Sequence, residues 1–129
     1  MSDDHGFRAA PHLRERIAYF PAAKRAMHYA EARLGGTVRL ADAAAAAGMN
    51  ASAFSRYFTL KVGIPFSHAL RALRIERAVD RLYRSDVSIS TLSEIAGYSS
   101  PNAFARAFKN VTGRTPTEFR ASICGAPTE

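Results

Sequence analysis

The chain has one cysteine, Cys124, in 129 residues. A lone thiol makes no internal disulfide and no zinc knuckle, so a reducing cytoplasm is the natural setting. No apolar run approaches the roughly 18 residues that a spanning helix needs. The opening stretch, "MSDDHGFRAAPHLRERIAYF", carries early acids and no apolar core, so it is not a secretory signal. Alternating apolar and polar residues, the mark of half-buried strands, are missing. His5, His12, His28 and His68 have no metal-ligand spacing. No paired catalytic carboxylates, no glycine-rich phosphate loop and no histidine partner for Cys124 are evident. Membrane-spanning, metal, cofactor and enzyme readings therefore lose their support. Acid is also short: 11 Asp and Glu stand against 18 Lys and Arg, a formal charge of +7. Such a chain suits anionic partners, nucleic acid before a membrane surface.

What is present is a globular, all-α pattern. Apolar residues make up 47% and charged residues 22% of the chain, near the averages of folded domains. Residues 1–20 read as an N-terminal arm, with a short helix from Pro11 to Tyr19. Seven helices then follow. The first starts at Pro21 with Ala23, Met27, Ala30 and Leu34 at helical spacing, and stops at Gly35-Gly36. The second runs from Leu40 to Ala47 and ends at Gly48. The third is capped by Asn50 and ends at Gly63. Pro65 opens a long fourth helix to about Ser85. Its apolar stripe is Phe66, Leu70, Leu73, Ala78 and Leu82, and arginines 71, 74, 77, 81 and 84 line much of the rest. Ser88 caps a fifth helix that ends at Gly97. A sixth runs from Ser100 to Thr112, with Gly113 after it. "TPTE", Thr115 to Glu118, is a capping box that starts the seventh. The divisions are 1–20 arm, 21–64 first subdomain, 65–85 linker helix, 86–122 second subdomain and 123–129 a frayed tail.

One short helix is stated twice. "SAFSRYFTLKVG" spans Ser52 to Gly63, and "NAFARAFKNVTG" spans Asn102 to Gly113. Each copy follows a short helix, a glycine and a brief polar turn, which together make a helix-turn-helix. The second helix of such a unit lies in the major groove of DNA. Phe54, Tyr57 and Phe58, like Phe104, Ala107 and Phe108, share a core face. Ala51, Ser52, Ser55, Arg56 and Thr59 point the other way, as do Pro101, Asn102, Ala105, Arg106 and Lys109. Arg56 and Arg106 can each grip guanine with two hydrogen bonds, Asn102 can grip adenine, and Ser52 and Ser55 serve either. Thr59, Lys61, Lys109 and Arg114 sit where phosphates would pass. An exposed arginine is ordinarily just solvated; two in the same frame of a repeat make DNA contact the better reading. In the linker helix, Arg74 and Arg77 have Glu76, Asp80 and neighbouring helix ends as alternatives to phosphate. A 21-residue linker is about 30 Å long at 1.5 Å per residue, near the ~34 Å of one DNA turn.

"SDVSISTLSEIAGYSSPNAFARAFKNVTGRTPTEFR", Ser85 to Arg120, resembles the signature of the AraC/XylS family of bacterial transcription regulators. The likeness lies in Gly97-Tyr98, Phe104, Arg106, Phe108-Lys109, Gly113, Thr115-Pro116 and Phe119-Arg120. The first half is similar at Leu40, Ala43, Gly48-Met49, Phe54, Arg56, Phe58, Gly63 and Phe66, and "LRIERA" resembles the linker helix. Two departures stand out. Arg39 occupies a position that is often Ser or Thr in the family, where it can contact phosphate, and Arg81 replaces a usual Leu. The resemblance implies two helix-turn-helix units bridged by a helix, bound to double-stranded DNA. About 20 residues remain beyond it, too few for a ligand-binding domain. The chain is thus similar to stand-alone MarA/SoxS-type members, monomers or weak dimers that activate through RNA polymerase, with an excised domain as the alternative.

The function expected is a sequence-specific transcription regulator, an activator before a repressor, cytoplasmic and nucleoid-associated, with no cofactor and no metal. The competing readings are an architectural DNA binder of low specificity and a protein-interaction module that has lost DNA reading.

Overall fold

The computed structural model describes residues 5–123, with side chains from residue 12 onward. The tail 124–129, including Cys124, lies outside the described residues. Among them the fold is all-α: α1 (His5–Tyr19), α2 (Pro21–Glu31), α3 (Leu40–Ala46), α4 (Ala51–Val62), α5 (Phe66–Arg84), α6 (Ile89–Ile95), α7 (Pro101–Thr112) and α8 (Pro116–Ile123). The described residues form eight helices. The short helix expected from Pro11 to Tyr19 is α1, which begins earlier, at His5, and packs on α2, α4, α5 and α7, so the expected arm is largely helix.

Local chemistry sets the boundaries. Asn50, Ser88 and Ser100 each accept, through a side-chain oxygen, the backbone N–H three residues ahead. That supplies a partner for one of the orphan donors at a helix start. The capping box closes both ways: the Thr115 N–H donates to Glu118 at 3.0 Å, and the Glu118 N–H to the Thr115 hydroxyl at 3.1 Å. Gly63 and Gly113 terminate α4 and α7 in the left-handed region, with φ of 99° and 87°. Helix α2 stops at Glu31, before the expected glycines, because Arg33 N–H turns back to the Ala30 carbonyl at 2.9 Å. Leu34 is still buried, carried inward by that turn.

Two separate apolar cores result. The first joins Leu13 and Ile17 of α1 with Met27, Leu34, Phe54, Phe58, Val62, Phe66, Ala69 and Leu73. The second joins Ile75, Ala78, Val79 and Leu82 with Leu92, Phe104, Phe108 and Phe119. Each is centred on three phenylalanines. Phe54, Phe58 and Phe66 have ring centroids 5.2–5.7 Å apart. In the second core Phe108 lies 5.6 Å from Phe104 and 5.5 Å from Phe119. Full burial of one such ring contributes roughly 2–3 kcal/mol. The linker helix serves both cores, its first half one and its second half the other. Arg81 is exposed while Leu82 fills the core, so the departure at Arg81 leaves that turn packed.

Close backbone approach explains the alanines. Ala43, Ala44 and Ala47 are buried where α3 meets α2 and α4, and Ala96 is buried at the end of α6. A larger side chain there would hold the two helices of a pair apart.

Candidate nucleic-acid interface

The two helix-turn-helix units are α3–α4 and α6–α7. In both, a glycine in the left-handed region ends the leading helix, Gly48 at φ 80° and Gly97 at φ 87°. The next N–H returns to the leading helix: Met49 donates to the Ala44 carbonyl and Tyr98 to that of Ser93, both at 2.9 Å. This closure fixes the angle at which the second helix leaves.

The core faces are as the spacing predicts, with Phe54, Phe58, Phe104 and Phe108 fully buried. Tyr57 is only half-buried, since it packs at the rim of the first core. On the opposite face, Ser52, Ser55, Arg56 and Thr59 are exposed on α4, and Asn102, Arg106 and Lys109 on α7. Ala51 and Ala105, expected outward, are half-buried. Of the residues expected at phosphates, Arg39 is exposed and precedes α3 without a side-chain cap bond. Lys61 is exposed, with its ammonium 5.9 Å from the centre of the Phe20 ring. Arg114 is half-buried.

The arginines fall into two groups. Some are committed to the protein itself. Arg14 bonds Glu31 and Glu76, Arg16 the Val62 carbonyl, Arg25 the Ala47 carbonyl, and Arg120 the Val87 carbonyl. Burial lowers the Arg14 pKa, but the two glutamates outweigh it, and the guanidinium is held above its ordinary value. Arg74 spans three carbonyls, and there burial pushes the guanidinium below its usual range. Among the described residues, Arg56 and Arg106 have no ion-pair partner. Their forks are open to an external acceptor, which is what bidentate reading of guanine requires.

Sequence reasoning missed Leu60. It is 78% exposed and stands one turn beyond Arg56 on the outward face of α4. Its helical distance from the phenylalanines was a usable signal, since residues 54, 58 and 62 turn inward and residue 60 lies opposite them. An apolar side chain there can meet a thymine methyl. The described residues contain no cluster of metal ligands and no helix long and apolar enough to cross a membrane.

Comparison with known proteins decides what these paired units are. Residues 43–122 match the family model described as "Helix-turn-helix domain". The solved structures that the fold resembles include an AraC-type DNA-binding domain. One, from a Chromobacterium violaceum transcriptional regulator with an AraC-type DNA-binding domain, is 26% identical with a TM-score of 0.76, covering 83% of this chain and 96% of that one. The chain belongs to the AraC-type helix-turn-helix family.

Another relative of this AraC-type domain is the DNA-binding domain of AdpA, a global transcriptional factor solved with a target DNA. It is 26% identical, with a TM-score of 0.73 over 84% of this chain and 98% of that one. In sequence, the AraC-type domain is 34% identical over 92 residues to an uncharacterized HTH-type transcriptional regulator of Staphylococcus aureus, covering 71% of this chain. It is 36% identical over 80 residues to the uncharacterized transcriptional regulatory protein YesN of Bacillus subtilis, covering 60% of this chain. The match spans 12% of the length of the first relative and 22% of the second. The family is one of DNA-binding transcription regulators, not an enzyme family.

Proposed function

We propose that this AraC-type domain is the sequence-reading part of a cytoplasmic transcription activator, placing α4 and α7 in successive major grooves of one duplex. The observation that carries this reading is the pair of unpartnered arginines, Arg56 and Arg106, at the same outward position of two duplicated helices. In this reading Ser52, Ser55, Arg56, Asn102 and Arg106 address base edges, while Arg39, Thr59, Lys61, Lys109 and Arg114 neutralise or position phosphates. The linker helix, 19 residues and therefore about 28 Å long, is of the right order to join heads one DNA turn apart. AdpA, whose domain has been solved on a target DNA, supports DNA as the partner. A surface left free by the bound DNA would then contact RNA polymerase, with the chain acting as a monomer or weak dimer.

Selection of bound duplexes from a random pool tests the reading. Two motifs separated by about one helical turn are expected, bound about 10³-fold or more above random DNA at physiological salt. Affinity should fall steeply as salt rises, because several cations displace counterions. Enrichment of no motif, with a specific-to-random ratio near one, would instead make the chain an architectural binder.

A further inference from the structure

The linker helix carries its two cores on different faces. At about 100° per residue, Phe66, Ala69 and Leu73 point one way, and Ile75, Ala78, Val79 and Leu82 point roughly opposite. The change of face occurs between Leu73 and Ile75. Arg74 sits at that crossover, on the flank between the two faces. Its guanidinium donates to the Leu34 and Gly36 carbonyls of the first subdomain, the latter at 2.9 Å, and to the Ala96 carbonyl of the second at 3.2 Å. Ala96 is the last residue of the α6 end, where carbonyls attract a cation. The junction is closed: a Cβ on Gly97 would overlap both the guanidinium and the Leu34 carbonyl. On the other flank of the helix, Glu76 takes Arg14 of α1 at 2.6 Å, and the same arginine holds Glu31 at the end of α2. Each flank of the linker is thus tied to the first subdomain, and among the described residues Arg74 adds to the packing of α1 on α7 a hydrogen bond to a carbonyl of the second.

We infer that Arg74 is a positioning residue: it fixes the angle between the two heads and thereby sets the spacing between the DNA motifs the chain accepts. This rests on the proposal that both heads read one duplex. Three carbonyls engage the guanidinium, so its role in binding is geometric rather than a direct phosphate contact. Each base pair inserted between two motifs turns the second by about 34° and moves it about 3.4 Å. Heads locked at one angle lose contact at once, whereas loosened heads follow.

The test has two readouts on the full chain. In the first, spin labels on Ala45→Cys and Thr117→Cys, with Cys124→Ser, report the distance between heads without DNA. The distribution is expected to be narrow with Arg74 and broad in Arg74→Ala. In the second, affinity is measured for duplexes with the selected motifs at their own spacing and with two base pairs inserted. Preference for the selected spacing should fall from about tenfold or more to about twofold in Arg74→Ala, with an unchanged salt slope. Arg74→Lys, which keeps the charge but reaches fewer carbonyls, should fall between. A folded Arg74→Ala with a narrow distribution overturns the inference. So does a uniform loss at every spacing with the salt slope shallower by about one, since that marks a phosphate contact. If Arg74→Ala fails to fold, Arg74→Lys decides, and wild-type width and spacing preference there reject the role. If the wild type ignores spacing, the two-head reading fails, and the label distances alone judge the clasp.

Discussion

The first head, α3–α4, and the second, α6–α7, share a scaffold and differ in what they show to the outside. Buried phenylalanines, polar N-caps and left-handed glycines recur in the same places. The outward residues do not. Ser52, Ser55, Thr59 and Leu60 on α4 face Asn102, Ala105, Lys109 and Asn110 at the matching positions of α7. Only the arginine is common. The turn differs too: one residue separates Gly48 from the Asn50 cap, and two separate Gly97 from the Ser100 cap. Packing demands hold the inside constant, while the outside answers to whatever each head touches. The second head, with longer polar side chains, is the stronger candidate for base discrimination.

Four measurements would break or sharpen that contrast. The largest effect is expected at the turn glycines. Both need the left-handed region, but a Cβ at Gly48 meets open space and one at Gly97 meets Arg74 and Leu34. Gly48→Ala should cost about 1 kcal/mol and Gly97→Ala about 3 kcal/mol or more in denaturant unfolding. Equal losses would mean that the second turn is not tightly closed. Next come the two outward arginines proposed to read bases. Arg106→Ala should lose about 2 kcal/mol of discrimination between the selected base pair and its substitutes, and Arg56→Ala less. The reverse order in binding to point-substituted sites would make the first head the better reader. Caps follow: Asn50→Ala and Ser100→Ala should each lower stability by about 1 kcal/mol, since each side chain supports one N–H in the same way. A marked difference between them would reveal unequal stability of the heads.

The smallest effect is a pH dependence confined to the second half, where Glu118 has no counterpart in the first. The backbone N–H of Thr115 holds its carboxylate below the usual range, with Lys109 and Arg114 adding to the effect. A depressed folded value means that the stabilisation is complete above the ordinary carboxylate pKa. It is lost as pH falls beneath the ordinary carboxylate range and through the folded value. Amide protection in α8, relative to the intrinsic exchange rate at each pH, should therefore fall first on acidification, and Glu118→Gln should remove that response.

Much of this could be read from the sequence, for physical reasons. Capping oxygens, left-handed glycines and phenylalanines at three- and four-residue spacing act locally, so "NAFARAFKNVTG" announces its helix, its stop and its core face. The outward positions of Arg56, Asn102 and Arg106 follow from the same periodicity. The docking of α1 did not follow. Leu13 and Ile17 are too few apolar residues among charges to declare a buried face, and their partners lie far along the chain. The arginine clasps were hidden for the same reason. A guanidinium bound to backbone carbonyls leaves no mark on the partner's residue type: a neighbouring helix end was an expected partner for Arg74, but Ala96, Leu34 and Gly36 could not be singled out, and Arg25 looks like any solvated arginine.

A helix owned by two cores also governs how the chain can come apart. Cleavage after Arg84 would leave Ile75, Ala78, Val79 and Leu82 facing water on an otherwise intact first half. Neither half is a free-standing module, and loss of one uncovers a sticky flank on the other. The pair should therefore melt in a single transition, and a protease should find few stable fragments to leave behind. The two heads are expected to be degraded together, as one unit.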